Sequence, residues 1–187
     1  MALTLPSGKS TEVTRIPYAN FAFHVGFEAL AKGFPPAKDV DDMLFGGFSE
    51  ISGLEAMMEH KVIKEGGRNY GPAMRAGPVS FGTVVMKRGI VRSQHLWRWW
   101  SMFAGADNAP DGRPLPENRC NVLIGLISTI GSSDPKKVEP KIRIGWRLRN
   151  AMPVKFRVGD LNGKGSDVAV EELHLVHEGL EMKDVAA

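Results

Sequence analysis

The residues of this 187-residue chain whose types could do chemistry are five histidines, one cysteine and a group of late glutamates. Metal binding would need His174 and His177 to converge. Residues three apart on a strand point to opposite faces, so these two cannot share an ion unless the strand is bulged. Cys120 has no histidine beside it in the sequence to take its proton, and it reads as a buried or loop thiol. Glu171, Glu172 and Glu178 lie in a strand region with no nucleophile motif, phosphate loop or acidic metal cluster nearby. Gly66-Gly67 alone is too little for a phosphate-binding loop. The sequence therefore offers no catalytic residue, no metal ligands and no cofactor site, and the chain reads as a non-enzyme.

Two clusters point to binding instead. Lys141, Arg143, Arg147 and Arg149 share one side of a strand, and Lys155 and Arg157 join them if the adjoining segment pairs back as a hairpin. That basic face is either an ordinary solvated sheet surface or an electrostatic surface for a charged partner or a passage lining. Trp97, Trp99 and Trp100 could stack bases or sugars. With Leu96 and Phe103, however, Trp99 and Trp100 recur at helical spacing, as a helix packing an apolar stripe on a sheet requires. Trp97 lies off the centre of that stripe.

The elements that must position these groups are mostly strands. Phe21, Phe23, Val25 and Phe27 alternate with smaller or polar residues, the period of a strand with one buried face. Residues 48–63 read as a hairpin reversing at Ser52-Gly53, because glycine tolerates the positive φ of a tight turn. Its second strand is mixed on both faces, which suits an interface or water. Residues 66–78 read as a loop, followed by a strand from Val79 to Lys87. Ser93 is placed to cap a helix reaching about Ala104, which Gly105 and Pro110 stop. Further strands are expected at Val122–Thr129, at Lys141–Arg149, after a turn near Asn150 at Val154–Val158, and at Asp167–His177. Residues 28–47, 107–119 and 131–140 read as inserted loops. The expected fold is mainly β, an antiparallel sandwich or barrel-like structure of about eight strands with one flanking helix.

Composition fits one soluble domain spanning 1–187, since 43% hydrophobic and 24% charged residues exclude neither a core nor a solvated surface. A net charge of +3 falls short of the dense cationic clustering of a dedicated nucleic-acid binder. No apolar run is long enough to cross a membrane, so no membrane insertion is expected. Residues 1–17 read as a flexible arm without the apolar centre of a signal peptide, which places the chain in the cytoplasm. A single cysteine agrees with a reducing compartment.

Several motifs together carry a resemblance. Phe48-Ser49-Glu50-Ile51-Ser52-Gly53-Leu54, Glu65-Gly66-Gly67 and Met86-Lys87-Arg88-Gly89 precede the tryptophan helix. Asn150-Ala151-Met152-Pro153-Val154-Lys155, Asp160-Leu161-Asn162 and the run Val170-Glu171-Glu172-Leu173 to Leu180 follow it. In this order, from about Tyr18 to Met182, they resemble the tail tube proteins of contractile-tailed phages and phage-tail-like injection systems, relatives of the type VI secretion tube protein.

The resemblance implies a small β-barrel-like sandwich that forms six-fold rings, stacked into a hollow tube inside a contractile sheath. The implied partners are further copies of the chain in a hexamer, the sheath protein, baseplate and terminator proteins, and a protein or DNA cargo in the lumen. Assembly would occur in the cytoplasm, in a particle that can be released. The hairpin residues Phe48, Ser49, Glu50, Ser52, Gly53, Leu54, Met57, Glu59 and Lys61 become the expected joint between subunits, because strand edges can be satisfied by pairing between chains. The three inserted loops could instead mark a baseplate-proximal tube initiator or a cargo adaptor of the same fold. A nucleic-acid-binding module using the basic face and Trp97 is the remaining alternative.

Overall fold

Alternating apolar residues make strands wherever a second layer can cover one of their faces, and most of this chain follows that rule. The computed structural model describes residues 22–29, 47–92, 94–105, 116–128, 141–163 and 168–184. Within them the strands are β1 (Phe23–Ala29), β2 (Phe48–Ser52), β3 (Ala56–Ile63), β4 (Ala73–Phe81), β5 (Val84–Gly89), β6 (Cys120–Ser128), β7 (Lys141–Val158), β8 (Val170–Val176) and β9 (Gly179–Asp184). One helix, α1 (His95–Ala104), and a 3₁₀ turn at Pro116–Asn118 complete the described elements.

All pairings are antiparallel. One layer runs β1, β6, the first half of β7, then β9; the other runs the second half of β7, β8, β5, then β2. The long strand β7 belongs to both, and β8 with β9 follows it across the same bend. Rows of apolar residues cross each layer, Phe27 beside Val122 and Leu148 beside Leu180 in the first, Phe156, Leu173, Met86 and Ile51 in the second. The core forms where these rows face each other, with Leu96 and Trp99 of α1 packed into it. Trp99 sets its ring edge-on to Phe27 at 5.8 Å and donates its indole N–H to the Asn118 carbonyl at 2.9 Å.

The fold class agrees with the sequence reading; several local expectations do not. Ser52-Gly53 is not a reversal. Gly53 has φ 81°, but the chain continues outward, and a Cβ there would lie 2.1 Å from the Thr83 carbonyl oxygen. Residues 48–63 form one long interrupted strand, and 73–89 form its partner: Ser52 pairs with Val85 below the break, Ala56 with Phe81 above it. The true reversal spans residues 64–72. The strand expected at Val79–Lys87 therefore splits at Gly82-Thr83 into β4 and β5, and part of the expected 66–78 loop is strand.

Nor does the chain turn back near Asn150. Asn150 takes φ 50° and inserts a bend into a single strand, its backbone N–H donating to Asn121 Oδ1 at 3.1 Å. Asparagine fits there because it enters the left-handed region more readily than most residues. The helix cap position is Gln94, with φ 53° and no side-chain cap bond; Ser93 lies outside the described residues. Gly105 ends α1 as expected, its N–H donating to the Ser101 carbonyl at 2.9 Å. The final expected strand is shorter, and β9 follows it beyond Glu178. The flexible arm at 1–17 and most of the three inserted loops lie outside the described residues.

Candidate assembly interface

The long hairpin of residues 48–89 has two halves in different surroundings. Its inner half, β2 with β5, belongs to the sandwich. Phe48 packs on Phe27 with ring centres 6.4 Å apart, Ser49 donates its hydroxyl to the Lys87 carbonyl at 3.1 Å, and Glu50 pairs with the Lys87 ammonium at 3.0 Å. Leu54 packs against the core. Of the expected joint residues, Phe48 to Leu54 thus build the body and the root.

The outer half, β3 with β4, projects from the body as a two-stranded arm carrying Met57, Glu59 and Lys61. Every β3 residue is exposed. Among the described residues neither strand has a second neighbour, so both long edges are open. The ladder shifts register between Met58 and His60, where the β4 strand holds an extra residue near Gly77-Pro78. Proline is tolerated there because its missing N–H falls at a bulge on an edge.

Strand geometry sorts the arm residues onto two faces. Ala56, Met58, His60 and Val62 share one, opposite Phe81, Val79, Ala76 and Met74. Met57, Glu59, Lys61 and Ile63 share the other, with Ser80, Arg75 and Ala73 across from them. The mixed appearance of β3 alone resolves once β4 is placed beside it. Sequence reasoning missed residues 73–78 of β4 because Gly77-Pro78 resembles a turn; the surviving signal was Met74 and Ala76, then Val79 and Phe81, alternating on either side of the bulge.

The expected basic face is divided by the bend at Asn150. Arg147 and Arg149 flank buried Leu148 and lie on the outside of the first layer, whereas Lys155 and Arg157 flank Phe156 and lie on the outside of the second. Both Lys141 and Arg143 lie on β7, in the first-layer half. Neighbouring carboxylates answer most of the described charges. Arg147 meets Glu28 at 2.8 Å, Arg149 meets Glu181 at 3.5 Å, and Arg157 meets Glu172 at 3.8 Å. Across the second layer Arg157, Glu172, Lys87 and Glu50 stand side by side, an alternating row rather than a basic patch. Exposed Lys155 carries no ion pair among the described residues.

A polar cluster holds the bend. Glu178 accepts from the Asn150 amide at 2.7 Å and pairs with Arg119, and these two partners hold its carboxyl below the ordinary carboxylate range. Next to it His177 is buried, with Nδ1 donating to the Gly179 carbonyl at 3.0 Å and its ring 5.1 Å from Phe81 at the root of the arm. Burial lowers the His177 pKa, partly offset by the Gly179 bond. Deeper in the body Arg88 Nε meets Glu171 at 2.6 Å, with both side chains almost wholly buried and the Phe48 ring over the guanidinium. Burial pushes the Cys120 thiol far above its ordinary value, so it is not a thiolate nucleophile. Among the described residues no three His, Cys, Asp or Glu side chains cluster closely enough for a metal ion. Trp97 is committed to packing, 5.1 Å from Trp100 and 5.3 Å from Phe156.

The arrangement leaves a two-stranded arm exposed, and the fold has counterparts among known proteins. A chain of the anti-feeding prophage baseplate shares 24% identity, covering 92% of this chain and 99% of that one, with a TM-score of 0.68. A chain of the extended PVC sheath-tube complex, an extracellular contractile injection system, shares 15% identity over 96% and 100%, with a TM-score of 0.65. A chain of the anti-feeding prophage tube-terminating cap shares 14% identity over 91% and 93%, with a TM-score of 0.66. No curated protein sequence matches. Residues 19–181 match the family described as T4-like virus tail tube protein gp19, and the chain belongs to that family.

Proposed function

We propose that this chain is the repeating subunit of the inner tube of a contractile tail or injection system, forming six-fold rings that stack around a lumen for cargo. The observation that carries this reading is the arm. A two-stranded hairpin alone is marginal in water, and here, beyond its root and among the described residues, β3 and β4 leave both edges and both faces uncovered. A subunit that repeats along a tube supplies the missing neighbour from its own kind. Sheath, baseplate and terminator proteins are the further partners this reading requires, and the assembly would form in the cytoplasm before any release of the particle.

A second reading, a tube layer at the baseplate end, draws on the higher identity to the baseplate chain, 24% against 15% for the sheath-tube chain. Negative-stain microscopy and sizing of the purified chain, alone and with its baseplate, separate the two. Rings and long tubes from the chain alone support the shaft. Short stacks formed only on the baseplate support the end layer, and a monomer at every concentration, with or without baseplate, sinks both. Gly53→Pro should block ring or tube formation, because it locks φ near −65° where the root needs 81°.

A further inference from the structure

The arm joins the body at a break where both strands carry a glycine. Gly53 on one strand and Gly82 on the other lie between the last rung of the body, Ser52 with Val85, and the first rung of the arm, Ala56 with Phe81. A Cβ on Gly82 would stand 3.1 Å from the Gly53 carbonyl oxygen, and one on Gly53 would stand 2.1 Å from that of Thr83, so the strands cross here backbone against backbone. The Gly82 N–H donates to the Glu55 carbonyl at 3.0 Å, yet arm and body are separate sheets. A ladder interrupted at two glycines can absorb a change of angle that a continuous one cannot.

A ring contact crosses this break. Phe81, the last residue of β4, packs on His177 of the body with ring centres 5.1 Å apart and planes inclined at 42°. His177 is 9% exposed; its Nδ1 donates to the Gly179 carbonyl at 3.0 Å, and its Nε2 is buried with no hydrogen-bond partner. The neutral ring is the form that fits, because a proton on Nε2 would put a charged donor where no acceptor waits. Neighbouring ionisable groups are engaged elsewhere. Arg119 and Glu178, which line a small cleft together with His177, pair with each other, and Arg149 pairs with Glu181. On the arm side the nearest such group is exposed Glu55, beside Gly82. Burial lowers the His177 pKa, so the ring takes up a proton more readily once it leaves the contact.

We propose that Gly53 and Gly82 hinge the arm to the body, that the Phe81–His177 contact is the latch fixing its angle, and that protonation of His177 releases the latch. The swing occurs within one chain and does not depend on what surface the arm meets, so it stands apart from the tube reading. With the latch closed His177 stays neutral; with it open the imidazole meets water and titrates at its ordinary 6.5. Closure is therefore favoured above that pH. Each pH unit below it raises the ratio of open to closed by up to about tenfold, until the closed form itself takes up a proton.

Spin labels on Tyr70→Cys at the arm tip and Asp160→Cys on the body, both fully exposed positions, read the angle as a distance by pulsed electron paramagnetic resonance. Cys120 is buried and stays unlabelled. The full-length chain is measured as the monomer fraction from sizing, with near-ultraviolet circular dichroism of the tryptophans confirming a folded body. One distance is expected at about pH 8, and at about pH 5.5 a second population about tenfold larger than before. His177→Phe keeps the ring contact and cannot be protonated, so its distribution should be the same at both. Phe81→Ala should populate the second distance at both. A His177→Phe chain that fails to fold is replaced by His177→Gln, neutral throughout, whose distribution should likewise ignore pH. A wild-type distribution unchanged by acid overturns the proposal, as does an acid response that persists without His177 or a Phe81→Ala arm held as firmly as wild type.

Discussion

Met86 and Met74 lie on the two halves of one long hairpin strand, yet Met86 is fully buried and Met74 is 64% exposed. The inner half faces the other layer across a core that holds Phe27, Val122 and Leu148, with Leu96 and Trp99 of α1 packed into it; beyond its root the outer half faces nothing among the described residues. Residue type is therefore a poor guide to burial here. What separates body from arm is whether the same kind of apolar side chain meets an opposing surface within the chain. A body completed by its own layers and an arm left incomplete are what an assembling subunit requires.

Breaking the body should cost far more than breaking the arm. Trp99→Ala removes a fully buried ring and should lower unfolding free energy by about 3–5 kcal/mol. Met58→Ala should change it by no more than about 0.5 kcal/mol. Urea melts of the two variants in unassembled protein measure the contrast, and equal losses would show that the arm is covered within the monomer.

Arg88→Ala ranks near Trp99→Ala, because it strands the Glu171 carboxylate in the core at a cost of about 3–5 kcal/mol. Replacing both partners, as in Arg88→Met with Glu171→Leu, should recover most of that loss in the same melts. Failure to recover would mean that the pair also fixes the register of β5 against β8.

The cluster at the bend gives a smaller, pH-dependent effect. Glu178 is held below its ordinary 4.5, so its stabilisation is present above that pH and is lost as pH falls through the folded value. His177 is held below its ordinary 6.5, so folding favours its neutral form and stability declines as pH drops beneath 6.5. Urea midpoints against pH should show both declines. Glu178→Gln should flatten the lower one and His177→Gln the upper one; profiles that match wild type would remove the bend cluster from the account. A small loss should follow from Glu50→Gln, which loosens an exposed pair with Lys87 worth about 1 kcal/mol or less.

Much of the body was legible because its residues alternate: Phe23, Val25 and Phe27 on β1, and Ile144, Trp146 and Leu148 on β7, point inward as their spacing requires. The helix was legible from Leu96, Trp99 and Phe103 and from its glycine stop. The arm was half legible. Its β3 strand was recognised and assigned to an interface, but residues 73–78 of its partner were hidden behind Gly77-Pro78, whose turn-like chemistry here makes a bulge. Ser52-Gly53 misled in the reverse sense, since a positive φ serves a kink as readily as a turn. The six basic residues looked like one face because spacing shows neither the bend at Asn150 nor the carboxylates on neighbouring strands.

Sequence alone determined the periodicities, and through them the strand-rich class, the helix, and the ordered motifs that mark the tail tube family. Those features are local, fixed by which side of the chain each residue must show. Tertiary structure decided the pairings: where the long hairpin reverses, which charges meet, and which half of it gains a second layer. Such choices depend on contacts between residues far apart in the chain, and no local spacing records them.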